Sequence, residues 1–210
     1  MFNNGLKDYL EHLLSFKSGG APLSEAERIS DAFDNLNYLL HTDEFAVRDM
    51  TGCDESTADY LRLIAALTSR RITDKFKNGK KYLQNELKEY IVGLFFGSTV
   101  ENVYLIMFDA EGRLISSEHL GDGTVNSSGF LPRKMLDVAL RKRAKSVILA
   151  HNHPCGNPDA SKNDIATSFI AKSVLLDARV ELLHHYIVSG FDIIDCLEST
   201  VQNSDGAGDN

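Results

Sequence analysis

From residue 6 to about residue 67 the apolar positions recur at helical spacing, beginning with Leu6, Leu10, Leu13 and Leu14, and no alternating stretch interrupts them. The pattern predicts an all-helical region. Ser24 and Glu27 in "SEAE" have the spacing of a capping box, which predicts a helix running on through Leu40. "MTGCDESTADYLRLIAAL" predicts a helix, a tight turn at Gly52 and a second helix. The polar, basic "KFKNGKK", residues 75–81, breaks the pattern and is the expected linker.

Beyond it the period changes. A helical "YLQNELKEYIVGLF" leads into two apolar segments on either side of Asp109 and Gly112, the pattern of a β-hairpin. "LPRKMLDVALRKRA" reads as an amphipathic helix with Met135, Leu136, Ala139 and Leu140 inward, and "KSVILA" as a short, fully buried strand. "SKNDIATSFIAKSVLLD" predicts a helix burying Ile165, Ala166, Phe169, Ile170 and Val174, and "VELLHHYIV" a further strand. Strands alternating with helices predict a mixed α/β domain. The expected organisation is a small helical domain over 1–77, an α/β domain over 78–198 and a polar tail, 199–210, expected to be disordered.

At 210 residues and 43% hydrophobic, the chain is long enough for one sizeable core and a second small one. No apolar run approaches the roughly 20 residues of a membrane helix, and the N-terminus lacks the order of a signal peptide, so a cytoplasmic protein with no membrane partner is expected. Cys53, Cys155 and Cys196 are odd in number and widely spread, which suits reduced thiols; no CxxC zinc knuckle is present. The net charge is −8, and residues 1–77 hold 9 Lys and Arg against 13 Asp and Glu, so strong DNA binding is not expected. The densest basic cluster, residues 133–145, sets Arg133, Lys134, Arg141, Lys142, Arg143 and Lys145 against Asp137 and reads as a solvated helix face.

Polar chemistry concentrates in "AHNHPCGNPDASKND", directly after "SVILA". His151 and His153 are two apart at the end of a strand, so their side chains leave one face. Asp164 follows Ser161 by three residues in the first turn of the next helix, and "PCGNPDA" is a loop able to fold that turn over the histidines. Two histidines and an aspartate make three protein ligands, the number a catalytic zinc site uses when its fourth position stays open. Imidazole with carboxylate suits Zn2+ better than Mg2+ or Ca2+, and one ion per chain is expected. Glu101, a carboxylate heading the apolar "ENVYLIMF", is the candidate general base beside the metal. Taken singly, Ser161-x-x-Asp164 is a helix cap, the prolines a turn and a histidine a packing residue. Their joint spacing where a buried strand meets a helix favours the metal.

"HNHPCGNPDASKND" with upstream Glu101 resembles the JAMM (MPN-type) metalloprotease signature, and "GDGTVNSSGFLPRKMLDVALRKRAKSVILAHNHP" with "LLHHYIV" resembles the RadC family, over about residues 101–188. The preceding helices resemble the helix-hairpin-helix region of RadC proteins. The resemblance implies a cytidine-deaminase-like α/β fold in which His151, His153 and Asp164 bind zinc, Glu101 is the general acid/base and Ser161 stabilises the oxyanion. It implies a zinc-dependent hydrolase of peptide or isopeptide bonds, since related JAMM enzymes release ubiquitin or similar modifiers; the partner expected is a protein substrate such as a ubiquitin-like conjugate. RadC proteins also carry a historical link with DNA repair, so the alternative is an accessory protein with a structural or vestigial metal and no peptidase activity. Three departures stand out. Cys155 replaces the usual serine, His184 stands where an aspartate is expected before His185, and the turn "TGCD" lacks a glycine and sets an aspartate where a phosphate would sit. Cys155 either adds a thiol near the metal or fills the loop with a small side chain, and His184 either alters a contact to a ligand or is a surface histidine.

Overall fold

The computed structural model describes residues 4–18, 23–122, 130–154 and 159–198. Its first third is helical: α1 (Asn4–Ser18), α2 (Leu23–Ala32), α3 (Leu36–His41), α4 (Glu44–Thr51) and α5 (Glu55–Thr73). The single helix expected through Leu40 is two, because the Asn35 side chain accepts the Tyr38 N–H at 2.8 Å and restarts the helix. Ser24 lies inside α2, and Glu27 pairs with Lys7 at 2.9 Å instead of closing a box. Asp43 and Asp54 cap α4 and α5 in the same way, and between those helices Gly52 takes the left-handed φ of 63° that the sharp turn requires. Leu10, Leu14, Ile29, Phe33, Leu39 and Leu61 fill the core of this region.

The expected linker is not free. Gly79 N–H donates to the Leu114 carbonyl at 2.7 Å, Leu114 N–H returns a bond to Lys80 at 2.9 Å, and Phe76 and Tyr82 pack on the sheet core. Helix α6 (Gln84–Phe95) follows. Then come β1 (Asn102–Phe108), β2 (Leu114–Asp122), α7 (Phe130–Arg141), β3 (Ser146–Asn152), α8 (Lys162–Asp177), β4 (Glu181–Ser189) and β5 (Asp192–Asp195). Together with the helices before it this is a mixed α+β architecture. The sheet order is β2-β1-β3-β4-β5, with β3 and β4 parallel and every other pair antiparallel. The β1–β2 hairpin turns at Gly112 as expected, while β5, four residues long, was not anticipated.

Helices α7 and α8 cover one face of the sheet and α6 the other, so central β3 is buried on both. Two expected helix faces are corrected. In α7 the inward residues are Leu131, Met135, Val138 and Ala139, and Leu140 is exposed. In α8 the buried face is Asp164, Thr167, Ser168, Ala171 and Leu175, whereas Phe169 and Ile170 are exposed. The basic cluster is a solvated face: Arg141 pairs with Asp137 at 2.9 Å, Lys142 with Glu118 at 2.7 Å, and Lys134 donates to the Leu120 carbonyl. No described helix is long and apolar enough to cross a membrane. Cys53 and Cys196 are buried free thiols. Cys155 and the tail 199–210 lie outside the described residues.

Candidate metal centre

His151 is the penultimate residue of β3, paired with Val103 on one side and Ile187 on the other, so its ring is fully buried. The strand continues past Asn152, since His153 N–H donates to the Val188 carbonyl at 2.8 Å. The two rings therefore emerge together, with their Nε2 atoms 3.1 Å apart. Asn152 turns the other way. Its side-chain oxygen accepts the Asn102 N–H at 2.7 Å and its amide donates to the Val100 carbonyl at 3.1 Å, which fixes the segment carrying Glu101. One ligand atom each from Glu101, His151 and His153 lies within 4.8 Å of the others.

The first turn of α8 supplies the aspartate. Ser161 is the N-cap: its Oγ accepts the Asp164 N–H at 3.1 Å, and Asp164 Oδ2 accepts the Ser161 N–H at 2.8 Å. This reciprocal box holds the Asp164 carboxylate rigid, with Oδ1 3.2 Å from His151 Nε2 and Oδ2 3.8 Å from His153 Nε2. Ser161 thus has the capping role that its spacing alone allows, and it is exposed at the rim. Burial by itself would raise the pKa of Asp164, but the bonds with His151 and Ser161 outweigh it and hold the carboxyl well below the usual range.

Behind His151 lies a chain of bonds with a fixed direction. The Asp164 backbone carbonyl can only accept, so the Ser168 hydroxyl at 2.8 Å donates to it. Ser168 Oγ, its proton used, accepts from His185 Nδ1 at 2.5 Å. The His185 ring is neutral, since burial, aided by the neighbouring His151, pushes its pKa down to about 3. Its proton is therefore on Nδ1, and Nε2 accepts from His151 Nδ1 at 3.0 Å. With Nδ1 bonded to His185, it is Nε2 of His151 that faces the Asp164 carboxylate.

Electron-pair donors facing one another at such distances need a cation between them: a further proton on His151, or a metal ion. Nitrogen and oxygen ligands at roughly 2.0–2.2 Å from one tetrahedral ion stand about 3.3–3.6 Å from each other. His151 Nε2 is 3.1 Å from His153 Nε2 and 3.2 Å from Asp164 Oδ1, and the other carboxylate oxygen, Oδ2, is 3.8 Å from His153 Nε2, so the chemistry and spacing of these donors suit a zinc ion. The four residues expected from the sequence to hold and serve the metal, Glu101, His151, His153 and Asp164, are brought together. His185, Ser168 and Asn152 were not read from the sequence. Ser168 had a signal, lying four residues after Asp164 on one helix face. Cys196, nearby, is no thiolate, because burial and the carboxylates of Asp164 and Asp195 push its pKa up to about 12.

Curated proteins resemble this chain over most of its length. The UPF0758 protein of Polaromonas sp. is 28% identical over 181 residues, covering 86% of this chain and 81% of the relative. That of Shewanella denitrificans is 27% identical over 182 residues, covering 86% and 81%. That of Idiomarina loihiensis is 27% identical over 193 residues, covering 91% and 86%. The name they share states no activity. The family model described as RadC-like JAB domain matches residues 75–197, the span that contains the sheet, its three covering helices and every residue of the metal centre. The chain belongs to the RadC-like JAB domain family.

Proposed function

We propose that the protein is a zinc-dependent hydrolase of amide bonds, peptide or isopeptide, acting on a protein substrate such as a ubiquitin-like conjugate. The observation that carries this reading is the meeting of His151, His153 and Asp164 at the end of β3, with the Glu101 carboxylate beside the two histidines. His151, His153 and Asp164 would hold the ion, which when bound acts as a Lewis acid that acidifies water and polarises a carbonyl. Glu101 takes the proton of the attacking water on its carboxylate and returns it to the leaving nitrogen. Ser161 caps α8 through its Oγ, and its exposed hydroxyl is the donor to the substrate's carbonyl oxygen as negative charge develops there. His185 and Ser168 keep the His151 proton on Nδ1 and the ring aimed at the site.

The alternative, an accessory protein with a structural metal, needs a closed shell, and Glu101 is near enough to be its fourth ligand. Glu101→Gln separates the two. Under the hydrolase reading the variant keeps one zinc per chain and loses at least about a hundredfold in cleavage of any substrate found in an unbiased peptide and conjugate screen. If it loses zinc as completely as Asp164→Asn, the site is closed and the hydrolase reading fails.

A further inference from the structure

We propose that His184, Asp195 and Glu198 form a second site, for a divalent transition ion of the zinc class, on the opposite face of β4 from the first. One ligand atom from each of the three lies within 4.8 Å of the others. They come from β4, the end of β5 and the turn after it, so the ion would clamp the short β5 to its neighbour. His184 and His185 are successive strand residues and face opposite ways: His185 supports His151, and His184 stacks on Tyr186 with ring centres 4.9 Å apart.

The donors are aimed in advance. Asp195 is buried, and its Oδ1 accepts the N–H groups of His185 at 3.3 Å and Leu197 at 3.0 Å. That leaves Oδ2 directed at His184 Nδ1, 2.6 Å away. The metal replaces the proton between Nδ1 and Oδ2, and the imidazole then carries its proton on Nε2. Those two atoms must part by roughly 0.7 Å to stand at tetrahedral ligand spacing, and Glu198, exposed, swings in as the third ligand. An imidazole with two carboxylates selects zinc-like ions over Mg2+ or Ca2+. All three line a cavity of about 720 Å3 that gives an ion a route in. Lys145, Lys172 and Arg179 line it too, and their charge makes this the weaker of the two sites.

The test is metal counting on the untagged full chain, stripped with chelator, reloaded with Zn2+ or Co2+ and assayed for bound metal and for cobalt absorption. His184→Gln and Glu198→Gln should each hold one equivalent fewer than wild type. The double variant His151→Ala, His153→Ala should keep the equivalent that those variants lose. Because Glu198 is exposed, its replacement leaves the fold intact. Retention of the second equivalent by either single variant overturns the site, whereas loss of the first equivalent alone bears only on the centre around His151.

Discussion

His151 Nδ1 stands 3.0 Å from His185 Nε2, and the proton between them belongs to His151 because the relay behind it ends on the Asp164 backbone carbonyl. The residue proposed as the carboxylate ligand thus also sets, through its main chain, the tautomer of a histidine proposed as a ligand. His185→Phe removes the acceptor and leaves the His151 ring free to bind its proton on either nitrogen. Zinc affinity measured by chelator competition should fall by roughly 10–100-fold, with Ser168→Ala in the same direction and smaller. Wild-type affinity in His185→Phe would show that the relay does not position the ligand.

Asp164→Asn preserves the shape of the helix cap, since an amide oxygen still accepts the Ser161 N–H, but removes the ligand charge. Zinc content and activity should fall together, and the metal-free variant should also lose the stability that the depressed Asp164 carboxyl contributes at neutral pH. Ser161→Ala should differ: metal retained, stability reduced by about 1 kcal/mol through the lost cap, and kcat reduced on the order of a hundredfold if its hydroxyl serves the oxyanion. Paired metal analysis, urea titration and turnover distinguish these outcomes.

Two histidines make the metal-free protein sensitive to mild acid. Burial lowers the pKa of both His185 and His41, and His41 Nε2 accepts the Gly97 N–H at 3.2 Å, a bond that protonation breaks. A histidine whose folded pKa lies below its unfolded one binds fewer protons folded than unfolded, so stability is full above the ordinary value near 6.5 and is lost as pH falls toward the folded value. Urea midpoints in the presence of chelator should therefore drop between about pH 6.5 and 4.5, with His185 contributing up to about 1.4 kcal/mol per pH unit. The shifted carboxyls, Asp164 and Asp195, lose their contribution only at lower pH, since their ordinary value is 3.8. A profile as steep in His185→Phe as in wild type would refute the assignment.

At Gly93 helix α6 lies against α5, and a Cβ there would sit 2.5 Å from Ile72 Cγ2 and 3.0 Å from its Cβ. Gly93→Ala must push the two helices apart. It should cost about 1–3 kcal/mol, visible as a lower urea midpoint, with zinc affinity unchanged because the metal centre takes no ligand from either helix. Unaltered stability would mean the contact yields freely.

The meeting of His151, His153 and Asp164 was legible because their spacing is local: two histidines across one strand residue, and an aspartate one helical step from its cap. Their support was not, since His185, which Ser168 holds, meets His151 only after β4 is laid beside β3. Helix α8 was misjudged because periodicity tracks apolar residues. Its inward face is small and polar where it carries Asp164 and Ser168, leaving Phe169 and Ile170 outside. The α2–α3 break was missed for a similar reason: apolar spacing passes smoothly through a position where Asn35 offers the backbone a competing hydrogen bond.

Phe95 and Phe96, consecutive residues at the end of α6, belong to different interiors. Phe95 packs with Tyr90, Ile106 and Tyr186 beneath the sheet, and Phe96 with Leu61 and Ala65 among the first helices. A lineage exchanging the helical region for another module by splicing within residues 75–81 would strand an aromatic ring in water unless the newcomer brought a socket for it. The seam along which this protein can be inherited in pieces runs across the end of a helix, not through the loop that looks like a hinge.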